Sequence, residues 1–221
     1  MDNLYIFDLD GTLLNTLPTI AHYGNSALEK FGFAKICEER YKTLVGNGRD
    51  VLIHRMLAEH GADTAENFDR VGGVYDALYE ADVMYLTRPY DGIPELLRDL
   101  KAADVRLAVL SNKPDNVVNP IVKSVFGRVF DLVRGKTPEF PTKPDPASAL
   151  DICARLGCAP QHTTFVGDTS VDIKTGKNGG FYTVGVEWGF RGRDELTAAG
   201  ADFIARSAED IFANLQNRNR D

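Results

Sequence analysis

Six short apolar, β-branched-rich runs punctuate the 221-residue chain, at residues 4–7, 105–110, 129–133, 164–166, 181–186 and 202–205. Helical patterns lie between them. Residues 92–103 carry Ile93, Leu96, Leu97 and Leu100 at helical spacing, and residues 146–156 open with prolines and close at Gly157. Strands that alternate with helices imply a largely parallel sheet covered on both faces.

Residues 15–87 break this rhythm. They read as helix after helix, over 20–31, 38–44, 50–60 and 65–86, with turn signals at Gly32, Gly46-Asn47-Gly48 and Gly61. The fold class expected is therefore α/β: a Rossmann-like parallel-sheet core with a helical cap domain inserted after the first strand. The core is expected from residues 1–14 plus 88–221, the cap from 15–87, and the polar tail 216–221 is expected to fray.

Composition narrows the function classes. A hydrophobic fraction of 43% and a charged fraction of 26% are ordinary for a soluble globular protein. A net charge of −7 argues against non-specific nucleic-acid binding, which basic surface drives. It leaves room for a small anionic substrate, because a bound cation or a few basic groups can reverse the field in one cleft. Three cysteines, Cys37, Cys153 and Cys158, cannot all pair within one chain and form no CxxC, so reduced thiols and a cytoplasmic location are expected. Met1 runs directly into an apolar strand without the features of a signal peptide, and no membrane partner is expected. A monomer and a homodimer are both open.

In open α/β sheets, ligands bind at the carboxyl ends of the strands. The polar residues that follow the expected strands are Asp8 and Asp10, then Ser111-Asn112-Lys113, then Gly167-Asp168-Thr169; Lys143-Pro144-Asp145-Pro146 precedes a helix. Carboxylates gathered from Asp8, Asp10, Asp168 and Asp172 repel one another and need a cation. All-oxygen ligands suit Mg²⁺, and no His or Cys is grouped with them to suit zinc. Lys143 adds a fixed positive charge, Ser111 a hydroxyl donor, and the Gly11-Thr12 backbone amides a phosphate cradle. A carboxylate so placed can attack phosphorus and split hydrolysis into two easier steps.

These residues fall into four ordered motifs. Asp8-Leu9-Asp10-Gly11-Thr12, Leu110-Ser111-Asn112-Lys113-Pro114, Lys143-Pro144-Asp145-Pro146 and Gly167-Asp168-Thr169-Ser170-Val171-Asp172 resemble the DxDGT, second, third and GDxxxD motifs of the haloacid dehalogenase-like hydrolases. The resemblance implies a phosphatase acting on a small phosphorylated metabolite. Asp8 would be nucleophile and Mg²⁺ ligand. Asp10 would be general acid and then general base, its carbonyl also on the metal. Ser111 would hold the transferring phosphoryl group with Gly11, Thr12 and Asn112, Lys143 would neutralise charge, and Asp168 would be a direct metal ligand. Asp172 would act through water or orient Lys143. A helical insert after the first motif also matches the family's type with a mobile cap.

Within that family the chain looks most like the phosphoglycolate phosphatase group. The features are Leu44-Val45-Gly46-Asn47-Gly48-Arg49, the second and third motifs, and Gly185-Val186-Glu187-Trp188-Gly189-Phe190. A glycine-flanked turn opening a helix can meet an anion, and Arg49 could grip a carboxylate such as that of 2-phosphoglycolate. Equally, Gly46 and Gly48 could only make a tight turn, with Arg49 solvated. Two positions depart from the group: Asn15 stands where an Asp is common, at the hinge, and Ser111 where many relatives carry Thr. His22, near the hinge, is a further candidate, whereas Trp188 is expected to pack a loop and Arg191 and Arg193 to be solvated. The same machinery could serve a pyrophosphatase or a sugar-phosphate or nucleotide phosphatase. A phosphoglucomutase-type transferase and a non-catalytic phosphate-binding module remain as further alternatives.

Overall fold

The computed structural model describes residues 4–218. The expected run of the chain out of Met1, and residues 219–221 of the tail expected to fray, lie outside the described residues. The chain divides into two compact units, Met1–Asn15 with Pro89–Asp221, and Thr16–Arg88.

The first unit begins with strand β1 (Leu4–Phe7) and the two-residue β2 (Leu14–Asn15). The second unit is helical: α1 (Leu17–Lys30), α2 (Glu38–Leu44), α3 (Arg49–Ala58) and α4 (Ala65–Ala81). Its core is Leu28, Tyr41, Leu44, Ile53, Met56, Leu57 and Val71, all buried. Gly24 is small for a reason, since a Cβ there would overlap Tyr41 Oη. Helix α4 stops at Ala81 rather than continuing to 86. Asp82 leaves helical dihedrals, its carbonyl accepts from Tyr23 Oη at 2.8 Å, and its side chain accepts from the Met84 amide at 3.1 Å.

After β3 (Arg88–Pro89), which pairs with β2, the alternating pattern resumes: α5 (Ile93–Ala102), β4 (Arg106–Pro114), α6 (Asp115–Phe126), β5 (Leu132–Lys136), α7 (Ala147–Leu156), β6 (Thr163–Gly167), α8 (Ser170–Gly179), β7 (Tyr182–Val186), α9 (Arg193–Ala198), β8 (Phe203–Ala205) and α10 (Ala208–Arg218). Residues 216–218 are thus helical, not frayed: Leu215 is buried one residue before them, and the Arg218 guanidinium lies over the Tyr182 ring.

Six strands form one parallel sheet in the order β5-β4-β1-β6-β7-β8. Strand β1 is central, with Phe7 opposite Val109 of β4 and Val166 of β6, which explains an uninterrupted apolar Leu4-Tyr5-Ile6-Phe7. From β1 the chain moves outward to β4 and β5, then crosses to β6 and moves outward on the other side. The carboxyl ends of β1 and β6 therefore border the topological switch point, where an α/β sheet opens a crevice. One face is covered by α7, whose Ala149, Ile152 and Cys153 pack on Leu4, Ile6, Leu110 and Phe165.

Strand β5 lies three residues further along than the apolar run 129–133 suggests. Asp131 marks its start, with its carboxylate accepting from the Leu107 amide at 2.7 Å and from Lys101 at 3.0 Å. The strand then carries the polar Arg134 inside, because Asp151 meets the guanidinium at 2.6 Å and the Ser148 carbonyl accepts from it at 3.0 Å.

Candidate active site

The Asp8 amide extends the sheet ladder by donating to the Val166 carbonyl at 2.9 Å, so the carboxylate starts from the rigid end of the central strand. The next residues fold back at once. The amides of Thr12, Leu13 and Leu14 all turn to the Leu9 carbonyl, and Gly11, at φ +89°, reverses the chain. A Cβ at Gly11 would overlap Asp168 Oδ2, so glycine here brings the β1 turn against the end of β6.

Three buried carboxylates, Asp8, Asp168 and Asp172, converge with one oxygen of each within 4.8 Å of the others. Lys143 is inserted among them: its Nζ lies 2.8 Å from Asp8 Oδ1 and 2.7 Å from Asp172 Oδ1. Asp172 Oδ2 accepts from the Thr169 amide at 3.1 Å and hydroxyl at 2.8 Å, the capping box of α8. Both oxygens of Asp172 are thus committed, one to the helix cap and one to Lys143. Asp168 accepts from Thr12 Oγ1 at 3.2 Å and from the Phe190 amide at 2.7 Å.

The electrostatics follow from this crowding. Burial pushes the Asp8 carboxyl up to about 7; Asp172 and Asp10 add repulsion, and Lys143 offsets part of it. Asp168 is raised well above the usual carboxylate range, first by burial and then by Asp172 and Asp8. For Lys143, burial alone would favour the neutral amine, but Asp172 and Asp8 outweigh it and hold the ammonium charged. Once all three are ionised, the carboxylates exceed the one ammonium by two negative charges in a buried space, and the donors are all oxygen. That set fits a hard divalent cation. Asp8 and Asp168 are the side chains best placed to hold it. Asp172 already carries the Lys143 ammonium and the helix cap, whereas the Thr12 hydroxyl and Phe190 amide that donate to Asp168 are neutral, and Lys143 takes one oxygen of Asp8.

The second and third motifs lock together. Asn112 Nδ2 donates to the Lys143 carbonyl at 3.1 Å, and the Lys143 amide donates to Asn112 Oδ1 at 2.9 Å. Asn112 thereby fixes the segment that carries Lys143. The buried Ser111 hydroxyl accepts from the Lys113 amide at 3.2 Å, keeping its own proton to donate. Asp10 stands outside the three-carboxylate group, with Lys113 Nζ 2.9 and 3.0 Å from its two oxygens.

Several site neighbours were not legible as such in the sequence. Trp188 Nε1 donates to the Thr12 carbonyl at 3.0 Å, so it braces the first-motif turn rather than merely packing a loop. Gly189 permits the loop's approach, since a Cβ there would overlap Asp168 Cβ. Tyr90, half-buried beside Trp188, has its hydroxyl proton retained by burial and by the charges of Asp168 and Asp10. Arg191, expected to be solvated, is largely buried and paired with Glu195 at 3.1 Å. Arg193 pairs with Glu187 at 2.5 Å.

The helical unit holds the remaining candidates. Gly46 and Gly48 both have positive φ, +107° and +89°, so the turn before α3 requires glycine at both positions. Arg49 donates to Asp76 through Nε at 2.9 Å and Nη2 at 2.7 Å, and to Asp50 at 3.1 Å. A Cβ at Gly72 would overlap the Arg49 guanidinium, so α4 is notched to receive it. His22 packs on Tyr85 and Tyr23, with ring centroids 4.7 and 5.2 Å away.

Residues 5–186 match the family model for haloacid dehalogenase-like hydrolases. The chain belongs to that family. A phosphoglycolate phosphatase from Mannheimia succiniciproducens is 32% identical to this hydrolase over 212 residues, covering 93% of this chain and 95% of the relative. The crystal structure of a predicted phosphoglycolate phosphatase from Haemophilus somnus 129PT has a TM-score of 0.90 at 30% identity, covering 96% and 97% of the two chains. These likenesses place this haloacid dehalogenase-like hydrolase among the phosphoric monoester hydrolases, in the phosphoglycolate phosphatase-like group. A β-phosphoglucomutase from Clostridium difficile has the same fold at a TM-score of 0.79 and 22% identity, covering 98% and 96%. Fold alone thus does not separate hydrolase from mutase. Among the described residues no helix is long and apolar enough to cross a membrane.

Proposed function

We propose that this hydrolase releases phosphate from a small phosphomonoester, 2-phosphoglycolate first, through an aspartyl-phosphate at Asp8 and with Mg²⁺ held by Asp8, Asp168 and the Asp10 carbonyl. The observation that carries the reading is the Lys143 ammonium seated between Asp8 and Asp172 beside Asp168, all four side chains buried. A nucleophilic carboxylate needs its charge balanced without being blocked. Lys143 engages one Asp8 oxygen at 2.8 Å, which leaves Oδ2 to attack.

In the first step an Asp8 oxygen attacks phosphorus. The bond from phosphorus to the leaving oxygen breaks with its electron pair, and Asp10 supplies the proton that this oxygen takes. In the second step Asp10 takes a proton from water as the water oxygen attacks phosphorus. The bond to Asp8 breaks, and inorganic phosphate leaves. Ser111 and Asn112 are assigned to the phosphoryl oxygens, with Asn112 also fixing Lys143. The Gly11 and Thr12 amides, expected to cradle phosphate, are instead spent inside the turn on the Leu14 and Leu9 carbonyls. Magnesium bound there would offset the charge that accumulates between Asp8 and those oxygens. Asp172 serves by holding Lys143.

The substrate is chosen through the names of the relatives and through the helical unit, which we assign as the cap over residues 16–88. For Arg49 to grip a substrate carboxylate, the carboxylate would have to displace Asp76, whose two oxygens already fill the guanidinium fork. The test is a panel of phosphorylated metabolites, including 2-phosphoglycolate, pyrophosphate, sugar phosphates and nucleotides, ranked by kcat/KM with and without Mg²⁺. The reading expects Mg²⁺-dependent release of phosphate with 2-phosphoglycolate ranked first. Pyrophosphate or a sugar phosphate ranked first would overturn the substrate, and turnover unaffected by chelation would overturn the metal.

A further inference from the structure

The site contains two lysines with separate carboxylate partners, and only Lys143 is absorbed by the chemistry above. We propose that Lys113 is a positioning residue for Asp10: its ammonium fixes the plane in which that carboxylate gives and takes protons. The proposal rests on the reading of Asp10 as proton donor and acceptor.

Lys113 Nζ donates to Asp10 Oδ1 at 2.9 Å and to Oδ2 at 3.0 Å, with side-chain exposures of only 10% and 18%. Among the described residues it is the one hydrogen-bond donor to that carboxylate. A contact to a single oxygen would leave the terminal torsion of Asp10 broad. A contact straddling both oxygens restricts it. The backbone of Asp10 is already fixed by the turn that folds Gly11–Leu14 back on Leu9, so the side-chain torsions are the remaining freedom.

Lys113 is itself anchored. Its amide donates to Ser111 Oγ, and its carbonyl lies against Gly135 of β5, where a Cβ would come within 2.6 Å of both that carbonyl and Asp115 Cα. The Gly135 amide donates to Asp115 Oδ1 at 2.8 Å, which closes the junction between β4, α6 and β5. A glycine inside a strand marks such a close backbone approach. The irregular register between Leu110 and Pro114 falls on the same residues and swings them out of the regular pleat. The fold thus builds a stable base for an ammonium that reaches across from β4 to the loop after β1.

A misdirected proton donor harms a reaction only where the leaving group needs the proton. The phosphorylation step on 4-nitrophenyl phosphate expels a stable phenolate, whereas an alkyl phosphate expels an alkoxide that must be protonated. The ratio kcat/KM reports steps up to phosphoryl transfer, so comparing the two substrates isolates that half-reaction. Lys113→Met should lower kcat/KM more on 2-phosphoglycolate, or on the alkyl phosphate ranked first in the panel, than on 4-nitrophenyl phosphate, by about tenfold or more. Lys113→Arg, whose guanidinium also offers two donors, should recover most of that difference. Asp10→Asn should discriminate in the same sense and more strongly. Equal losses on both substrates in Lys113→Met, beside discrimination in Asp10→Asn, would overturn the positioning role alone. Equal losses in Asp10→Asn would remove Asp10 from proton transfer, and the proposal with it. If Lys113→Met does not fold by circular dichroism, Lys113→Gln takes its place in the same comparison.

Discussion

Lys143 Nζ lies 2.8 Å from Asp8 Oδ1, and both side chains are buried at the end of the central strand. Removing the ammonium would strand Asp8 beside Asp168 and Asp172 with no compensating charge. Breaking a buried ion pair from one side destabilises by about 3–5 kcal/mol. Lys143→Met should therefore melt well below the parent in thermal unfolding, and should lose turnover as well. A melting temperature equal to the parent's would show that the lysine does not compensate these carboxylates.

The same crowding predicts how a cation acts on stability. Asp8 is raised from 3.8 to about 7 in the folded protein, so folding favours its protonated form. Its contribution to stability is fully present below the unfolded value and is lost as pH rises through about 7. Asp168 shifts in the same direction. A cation held by the ionised carboxylates reverses that loss. The gain in melting temperature on adding Mg²⁺ should be larger at pH 8 than at pH 5. A gain that is equal, or larger at pH 5, would contradict a cation held by these carboxylates.

Gly11 and Gly189 approach Asp168 from two loops, and a Cβ on either would overlap its side chain. Gly11→Ala also forces alanine into φ +89°, where glycine is tolerated and other residues are strained. Each substitution should displace Asp168, and a misplacement near 1 Å can lower the rate on the order of 100-fold. Steady-state turnover at saturating substrate, with the Mg²⁺ dependence recorded, checks this; normal turnover in both variants would show that Asp168 needs no fixed position.

Asp172 divides its oxygens between Thr169 and Lys143. Asn at this position keeps an acceptor for the cap but removes the charge facing the lysine. Asp172→Asn should retain the fold, as judged by circular dichroism, while kcat falls more than KM changes. A large rise in KM with unchanged kcat would indicate instead that Asp172 acts in substrate binding.

Much of the sheet was legible because β1 and β6 are buried on both faces and read as apolar runs. Asp8 and Asp168 follow directly from where those runs stop. β5 lies later than apolar periodicity suggests because its inner residue is Arg134, a charge admitted by Asp151, which such periodicity does not register. The partner of Asp10 was not legible for a related reason. Lys113 stands in a stretch where the regular strand alternation is broken, so its position in the sequence does not say which way it points. The bracing of Thr12 by Trp188 joins residues 176 positions apart, a contact that only the assembled sheet creates.

The most direct test of the central claim is chemical. Asp10→Asn, with its proton acceptor removed, should accumulate the covalent species after reaction with 4-nitrophenyl phosphate and Mg²⁺. Acid quenching, proteolysis and mass spectrometry should then find a hydroxylamine-labile phosphoryl group on Asp8. An Asp8→Asn variant should carry no such group and show no turnover. Full turnover in Asp8→Asn, or a phosphoryl group trapped on any other residue, would contradict Asp8 as the nucleophile.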